Sequence, residues 1–146
     1  MARTIDSAKR VINGTWGEVW LDGDKLCECY GLQLKVSKTK ETVNLCGRFM
    51  SDTKATNGSG TGSLMLYHVD SGMLRRLQDL KNGVDARCTV TSALKDPDSW
   101  GAERVSVSNV SFDDLTLADW QAATVSKVTA PFTFSDYELL DLIEAE

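Results

Sequence analysis

The sequence predicts an α+β fold: a mostly antiparallel β-sandwich or barrel with one helix packed on it and a short helix at the C-terminus. Three observations predict it. Short segments alternate apolar and polar residues at period two, turn dipeptides such as Asp22-Gly23 punctuate them, and a single internal stretch carries helical spacing. No strand–helix–strand repeat is present to build a parallel sheet. The 146 residues suit one domain, 1–146, with a real core.

Residues 1–13 carry no period and read as an N-terminal arm. "GTWGEVWLDGDKLCECYGLQLKVSK" follows, with Asp22-Gly23 as a hairpin signal between two apolar segments. In the second segment, residues 26–36, Leu32, Leu34 and Val36 share a face with Leu26 and Tyr30, and Cys27, Cys29, Gln33 and Lys35 share the other. "TVNLCGRFM" alternates until Gly47. "SDTKATNGSGTG" is small and polar and reads as a mobile loop or an extended hairpin arm. "SLMLYHV" is a short strand.

"DSGMLRRLQDLKNG" predicts the packed helix over about 71–82. Asp70 or Ser71 caps it, Met73, Leu74, Leu77 and Leu80 form its stripe, and Asn82-Gly83 stops it. "VDARCTVTSAL" is the cleanest strand, with Val84, Ala86, Cys88 and Val90 on one face. "KDPDSWGAE" is a turn. "RVSVSNVSF" changes phase at Asn109, which predicts a bulge. "VSKVTAPFTF" is a further strand. A capping-box pattern from Ser135 to Glu138 then predicts the short C-terminal helix.

Composition excludes some function classes. Net charge is -5, with pI about 4.9, which argues against tight non-specific binding of nucleic acid. No segment approaches the roughly 20 apolar residues of a membrane helix, and the basic N-terminus lacks a signal-peptide apolar run. Both point to a reducing cytosol, where Cys27, Cys29, Cys46 and Cys88 are expected as free thiols.

The glycines Gly58, Gly60 and Gly62 suggest a phosphate-binding loop at first sight. No Lys-Ser/Thr follows them, Ser63 stands where a dinucleotide fingerprint needs its third glycine, and a strand rather than a helix comes next. Cys27-x-Cys29 with Cys46 is a weak zinc pattern, since structural sites use two knuckles. His68 is the sole histidine and sits in phase with Leu64 and Leu66, as a half-buried strand residue would. A hydrolase triad would need it as base, yet no nucleophile elbow is present. Asp22/Asp24 and Asp113-Asp114 fall in turns. The sequence therefore predicts no enzyme, no cofactor and no metal.

Four tryptophans, Trp16, Trp20, Trp100 and Trp120, lie in or beside turns and strand ends. With a long polar loop and an N-terminal arm, these are the parts a β-protein uses to bind copies of itself. Several pieces in order then carry a resemblance: "INGTWGEVWLDGDKL", "VSKTKETVNLCGR", "GSGTGSLMLYHVDS" at Gly58–Ser71, "DPDSWGAERVSVSNV" at Asp96–Val110 and "APFTFSDYELLDLI" at Ala130–Ile143. Taken together they resemble the tail tube proteins of contractile phage tails, in the group found in PBSX-like defective prophages. None of the pieces is a catalytic motif.

The resemblance implies a split β-barrel with a flanking helix, and subunits that join as hexameric rings stacked into a hollow tube. It implies a continuous inner barrel around a channel, a surrounding tail sheath protein, a baseplate or tube initiator, and a tape-measure protein. DNA would be passing cargo in a phage, and in a phage-tail-like bacteriocin the tube would pierce the target envelope without DNA. No stable membrane association is implied. Localisation would be the bacterial host cytoplasm during assembly and the virion tail afterwards. Residues 39–60 become the extended intersubunit loop, with Arg48, Phe49, Met50, Lys54, Asn57, Gly58 and Gly60 as its contact residues. Two alternatives stay open: a secretion-system tube subunit, and a monomeric small-ligand-binding β-barrel.

Overall fold

The computed structural model describes residues 4–144. Short 3-10 turns at Ala8–Arg10 and Gly14–Trp16 lead into strand β1 (Gly17–Leu21). The first three residues of the expected arm lie outside the described residues. The rest of it is tied down: the Asn13 backbone N–H donates to Asp96 Oδ2 at 2.8 Å, and the Arg10 guanidinium donates to the Asp98 carbonyl at 3.2 Å.

Asp22 and Gly23 both hold positive φ, 53° and 87°, as a tight two-residue hairpin requires. The turn joins β1 to β2 (Asp24–Lys25), which is only a stub. The apolar segment 26–36, expected as the long arm of this hairpin, turns away instead. The main partner of β1 is β5 (Cys88–Leu94), with Val19 opposite Ser92. Nothing local in the sequence encodes that pairing, which joins residues some 70 positions apart along the chain.

Strand β3 (Cys29–Val43) runs antiparallel to β4 (Asp52–Tyr67), from Cys29↔Leu66 to Val43↔Asp52, with register shifts at Cys29/Gly31 and Thr39/Lys40. The polar stretch 39–60 is thus a two-stranded hairpin arm rather than a mobile loop. Its glycines have a packing role at the base. A Cβ on Gly62 would stand 2.8 Å from the Phe132 ring, and one on Gly60 would overlap the ring of Phe134. Glycine here leaves room for the two phenylalanine rings and, at Gly62, for the Gln33 carbonyl oxygen.

Strand β6 (Glu103–Phe112) links the two layers. Residues 104–108 pair with β8 (Asp136–Asp141) on one side and β5 on the other, while Ser111 and Phe112 pair with β7 (Lys127–Phe134). The switch falls at the expected bulge, where Asn109 takes φ 57° and the register with β5 shifts. One layer contains β2, β1, β5, β6 and β8; the other contains β3, β4, β7 and the end of β6.

Two helical expectations are corrected. The C-terminal helix is the strand β8. Ser135 does not act as an N-cap; its hydroxyl accepts from Asn109 Nδ2 at 2.8 Å, and the free side of β6 offers "DYELLD" a full ladder. The central helix is shorter than its stripe. Helix α1 covers Gly72–Arg76, then Leu77 breaks the geometry, and a 3-10 segment Gln78–Asn82 follows. Asp70 rather than Ser71 supplies the cap, its Oδ1 accepting from Gly72 N–H at 2.9 Å. Gly83, at φ 80°, ends it as expected.

The core lies between the layers and contains Val19, Leu21, Leu64, Leu66, Val90, Val107, Val110, Ala130, Phe132 and Phe134. Phe112 meets Phe132 edge-on at 5.6 Å. Each fully buried valine, leucine or phenylalanine among them contributes about 1.5–3 kcal/mol relative to exposure. The layers share β6 but do not close on the opposite side, so the sandwich is a split barrel with an open seam.

Candidate assembly surfaces

Three features stand out from the closed core. The first is the hairpin arm. β7 covers β4 only from Gly60 onward, so residues 52–59 and their partners on β3 stand free as a two-stranded ribbon. At about 3.3 Å per residue its tip projects about 25 Å beyond Phe134. Gly47 (φ 81°) and the hydrogen bond from Arg48 N–H to the Leu45 carbonyl shape the tip.

The arm gathers most of the residues expected to make contacts. Arg48, Phe49 and Met50 cluster at the tip, and the Phe49 side chain is wholly exposed, with Met50 70% exposed. Lys54, Asn57 and Gly58 follow along β4 on the exposed ribbon. Gly60 sits apart from them, at the root against Phe134. In a chain of net charge -5 this segment is basic, with Lys38, Lys40, Arg48 and Lys54 against Glu41 and Asp52.

The second feature is the set of open strand edges. Among the described residues the outer edges of β2 and β3, where the strand path ends, and the outer edge of β8 have no strand partner. Between the layers, walled by β3 on one side and by β6 and β8 on the other, lies a cleft of about 450 Å³, lined by Leu32, Leu34, Val36, Val105, Phe134, Tyr137 and Leu139, with Lys35 and Glu103 as its charged residues. Tyr137 and Leu139 on β8 are more than half exposed. Sequence reasoning missed β8 because a capping-box pattern and an alternating edge strand overlap in "SDYELLDL". The alternation of Tyr137 with Leu139 was the signal for the strand.

The third feature is a cleft of about 230 Å³ under α1, at the far end of β4 from the arm. It is lined by apolar Leu26, Leu66, Met73, Leu77, Leu117 and Val128 and by acidic Glu28, Asp70, Asp114 and Asp119. Arg76 also faces it but is occupied by Asp22 and Asp24, at 3.5 and 3.6 Å.

The chemical candidates fare differently. His68 lies just past β4 and is exposed rather than half-buried. Its Nδ1 stands 3.5 Å from the Ser126 hydroxyl, which donates to the Asp119 carbonyl at 3.4 Å. Cys27 and Cys46 are exposed, Cys29 and Cys88 half-buried, all as thiols. Among the described residues no three ligating side chains converge to hold a metal. Burial pushes the Cys88 thiol up to about 11, with repulsion from Asp22 adding to it, and burial likewise raises Cys29. No helix among the described residues is long and apolar enough to cross a membrane.

Unsealed strand edges, an apolar cleft along the seam and a projecting basic arm define an open β-sandwich whose exposed surfaces suit contact between chains. The chain belongs to the phage tail tube protein family, whose model matches residues 5–141. It is 33% identical over 135 residues to the phage-like element PBSX protein XkdM of Bacillus subtilis (strain 168), covering 90% of this chain and 92% of that one. YqbM, a second protein of the same strain, is 31% identical over 141 residues, covering 94% and 96%.

Solved structures share the fold. The sheath/tube terminator of an extracellular contractile injection system aligns with TM-score 0.70 at 14% identity, over 92% of this chain and all of that one. A chain of the anti-feeding prophage cap aligns with TM-score 0.70 at 10% identity, over 97% of each.

Proposed function

We propose that this chain is the repeating subunit of a contractile tail's inner tube, that six copies close into a ring, and that rings stack into a hollow conduit. The observation that carries this reading is the unsealed sandwich. The outer edges of β3 and β8 flank an apolar cleft on a chain that would otherwise expose both to water. Isolated edges of this length invite open-ended pairing, and a head-to-tail ring satisfies them while closing the assembly.

The same reading assigns the channel wall. On β3, β4 and β7, the face turned from the core carries Gln33, Lys35, Ser37, Thr61, Ser63, Met65, Lys127, Thr129, Pro131 and Thr133. Small hydroxyl side chains with few positive charges give a polar wall to which phosphates bind weakly. DNA would then pass as cargo, or the tube would pierce an envelope without it. Sheath, baseplate and tape-measure proteins complete the particle, assembled in the bacterial host cytoplasm and carried in the tail.

The domain assignment follows: one tube domain over 1–146, an N-terminal arm and the 39–60 segment as the intersubunit arm. A monomeric ligand-binding barrel would instead hold a closed, dry pocket. Two measurements together test this reading. Light scattering of purified protein across a concentration series, followed by negative-stain microscopy, is expected to show rings or tubes. Deleting Thr53–Ser59 is expected to abolish tubes, and normal tubes from that deletion would remove the arm from the account.

A further inference from the structure

We propose that Tyr30, Tyr67 and Lys127 form a binding site for an unpaired nucleic-acid strand, with a base stacked on the tyrosines and a phosphate on the ammonium. The site lies on the sheet face assigned above to the channel wall. Its place in a channel rests on the tube reading, and the binding itself does not.

The sequence puts Tyr30 in phase with Leu32 and Leu34, toward the core. A bulge changes that. Cys29 pairs with Leu66 and Gly31 with Met65, so Tyr30 is the additional residue between them. It ends 45% exposed. Gly31 leaves its own space to Met65: a Cβ there would stand 2.6 Å from Met65 Cε. Tyr67 ends β4 directly opposite Lys127 of β7, out of phase with the buried Leu64 and Leu66. The two tyrosine rings meet at 4.7 Å with 37° between their planes, and Lys127 Nζ stands 5.5 Å from the centre of one ring and 5.8 Å from the other.

This arrangement sets the class of ligand. Along β4 and β7 the same face carries mostly small hydroxyl residues, such as Thr61, Ser63 and Thr129, so the tyrosines are its stacking surface. Both rings stay more than two-fifths exposed. Lys127 forms no ion pair among the described residues. Glu28 and Asp119, which line the cleft beside Tyr67, do not reach it either. A cation held against the rings repels a guanidinium or ammonium ligand and attracts an anion. The rings take a planar base. A polynucleotide supplies both groups one nucleotide apart, and only an unpaired strand frees its base faces. Duplex cargo would offer phosphates alone and slide past, while an unpaired end would be held.

Fluorescence anisotropy of a labelled oligothymidylate, with dilute purified protein at low salt, tests the site. The oligomer is expected to bind at least about fivefold more tightly than a duplex of the same length, the low end of what one base–aromatic stack is worth. Tyr67→Ala is expected to lower its affinity at least about fivefold without changing the salt dependence, and Tyr67→Phe, which keeps the ring, to bind as the unsubstituted protein does. Tyr30→Ala, outside the paired ladder, repeats the test if Tyr67→Ala does not fold. Lys127→Gln is expected to weaken binding and to reduce the slope of log affinity against log salt by about 0.7. Equal binding of the duplex, an equal loss from Lys81→Gln on another surface, or full displacement of the oligomer by a glutamate–tyrosine copolymer at equal concentration would overturn the assignment. So would no binding at all, which would leave the tube reading standing. Binding as expected from a chain that never forms tubes would overturn the tube reading and keep the site.

Discussion

The ring of Phe134 occupies the space in which a side chain on Gly60 would stand. This one relationship fixes where the arm leaves the body of the molecule. Gly60 is the last residue of β4 covered by β7, and beyond it the hairpin continues without a third strand. Gly60→Val is therefore expected to destabilise the monomer by about 1–3 kcal/mol, as overpacking does. Urea unfolding checks the loss. The substitution is also expected to impair tube formation, because it tilts the root of the arm.

Asp96 holds the N-terminal segment. One carboxylate oxygen accepts from Asn13 N–H at 2.8 Å and the other from Asp98 N–H at 2.9 Å. Asp96→Ala removes both acceptors and should cost about 1–3 kcal/mol. It should also free the chain around Lys9 and Arg10 to trypsin. Cleavage there is expected to be at least several-fold faster than in the unsubstituted protein, followed by mass spectrometry.

Arg76 ties α1 to the β1–β2 turn through Asp22 and Asp24. The groups are partly exposed, so Arg76→Ala is expected to cost only about 0.2–1 kcal/mol. The difference from the unsubstituted protein should shrink in high salt. A loss that is large and independent of salt would mean that the arginine acts through packing instead.

Cys88 gives a pH-dependent prediction. Its thiol is raised by burial, first, from the usual 9.0 to about 11. The folded state therefore holds this proton more tightly than the unfolded chain does. The resulting stability is complete below pH 9 and is lost as pH rises through about 11. Urea midpoints measured across that window should fall more steeply for the native protein than for Cys88→Ala. The same burial predicts that maleimide modifies Cys46 and Cys27 well before Cys88.

Legibility in the sequence followed the reach of the interactions. The Asp22-Gly23 turn, the Asn109 bulge and the Gly83 stop were readable because each is set by the conformational needs of one or two residues. The pairing of β1 with β5 was not, since residues far apart in sequence meet through shared apolar faces. β8 was misread because local capping chemistry at Ser135 loses to the ladder that β6 offers. Arg48, Phe49 and Met50 were readable as residues of a long connecting segment, and they lie at the tip of the hairpin. The glycines of β4 were read as flexibility, yet Gly60 and Gly62 serve the packing of Phe134 and Phe132. The cleft under α1 had no signal at all, because its walls come from four separate parts of the chain.

Joining of copies of this chain into a hollow tube can be seen without a probe. Electron microscopy of the concentrated, purified protein, alone and with baseplate components, tests it most directly. Hollow tubes made of stacked six-fold rings are expected, with the face that bears Thr61, Ser63 and Thr129 turned to the channel. Dispersed monomers under every condition, with neither rings nor tubes, would contradict it.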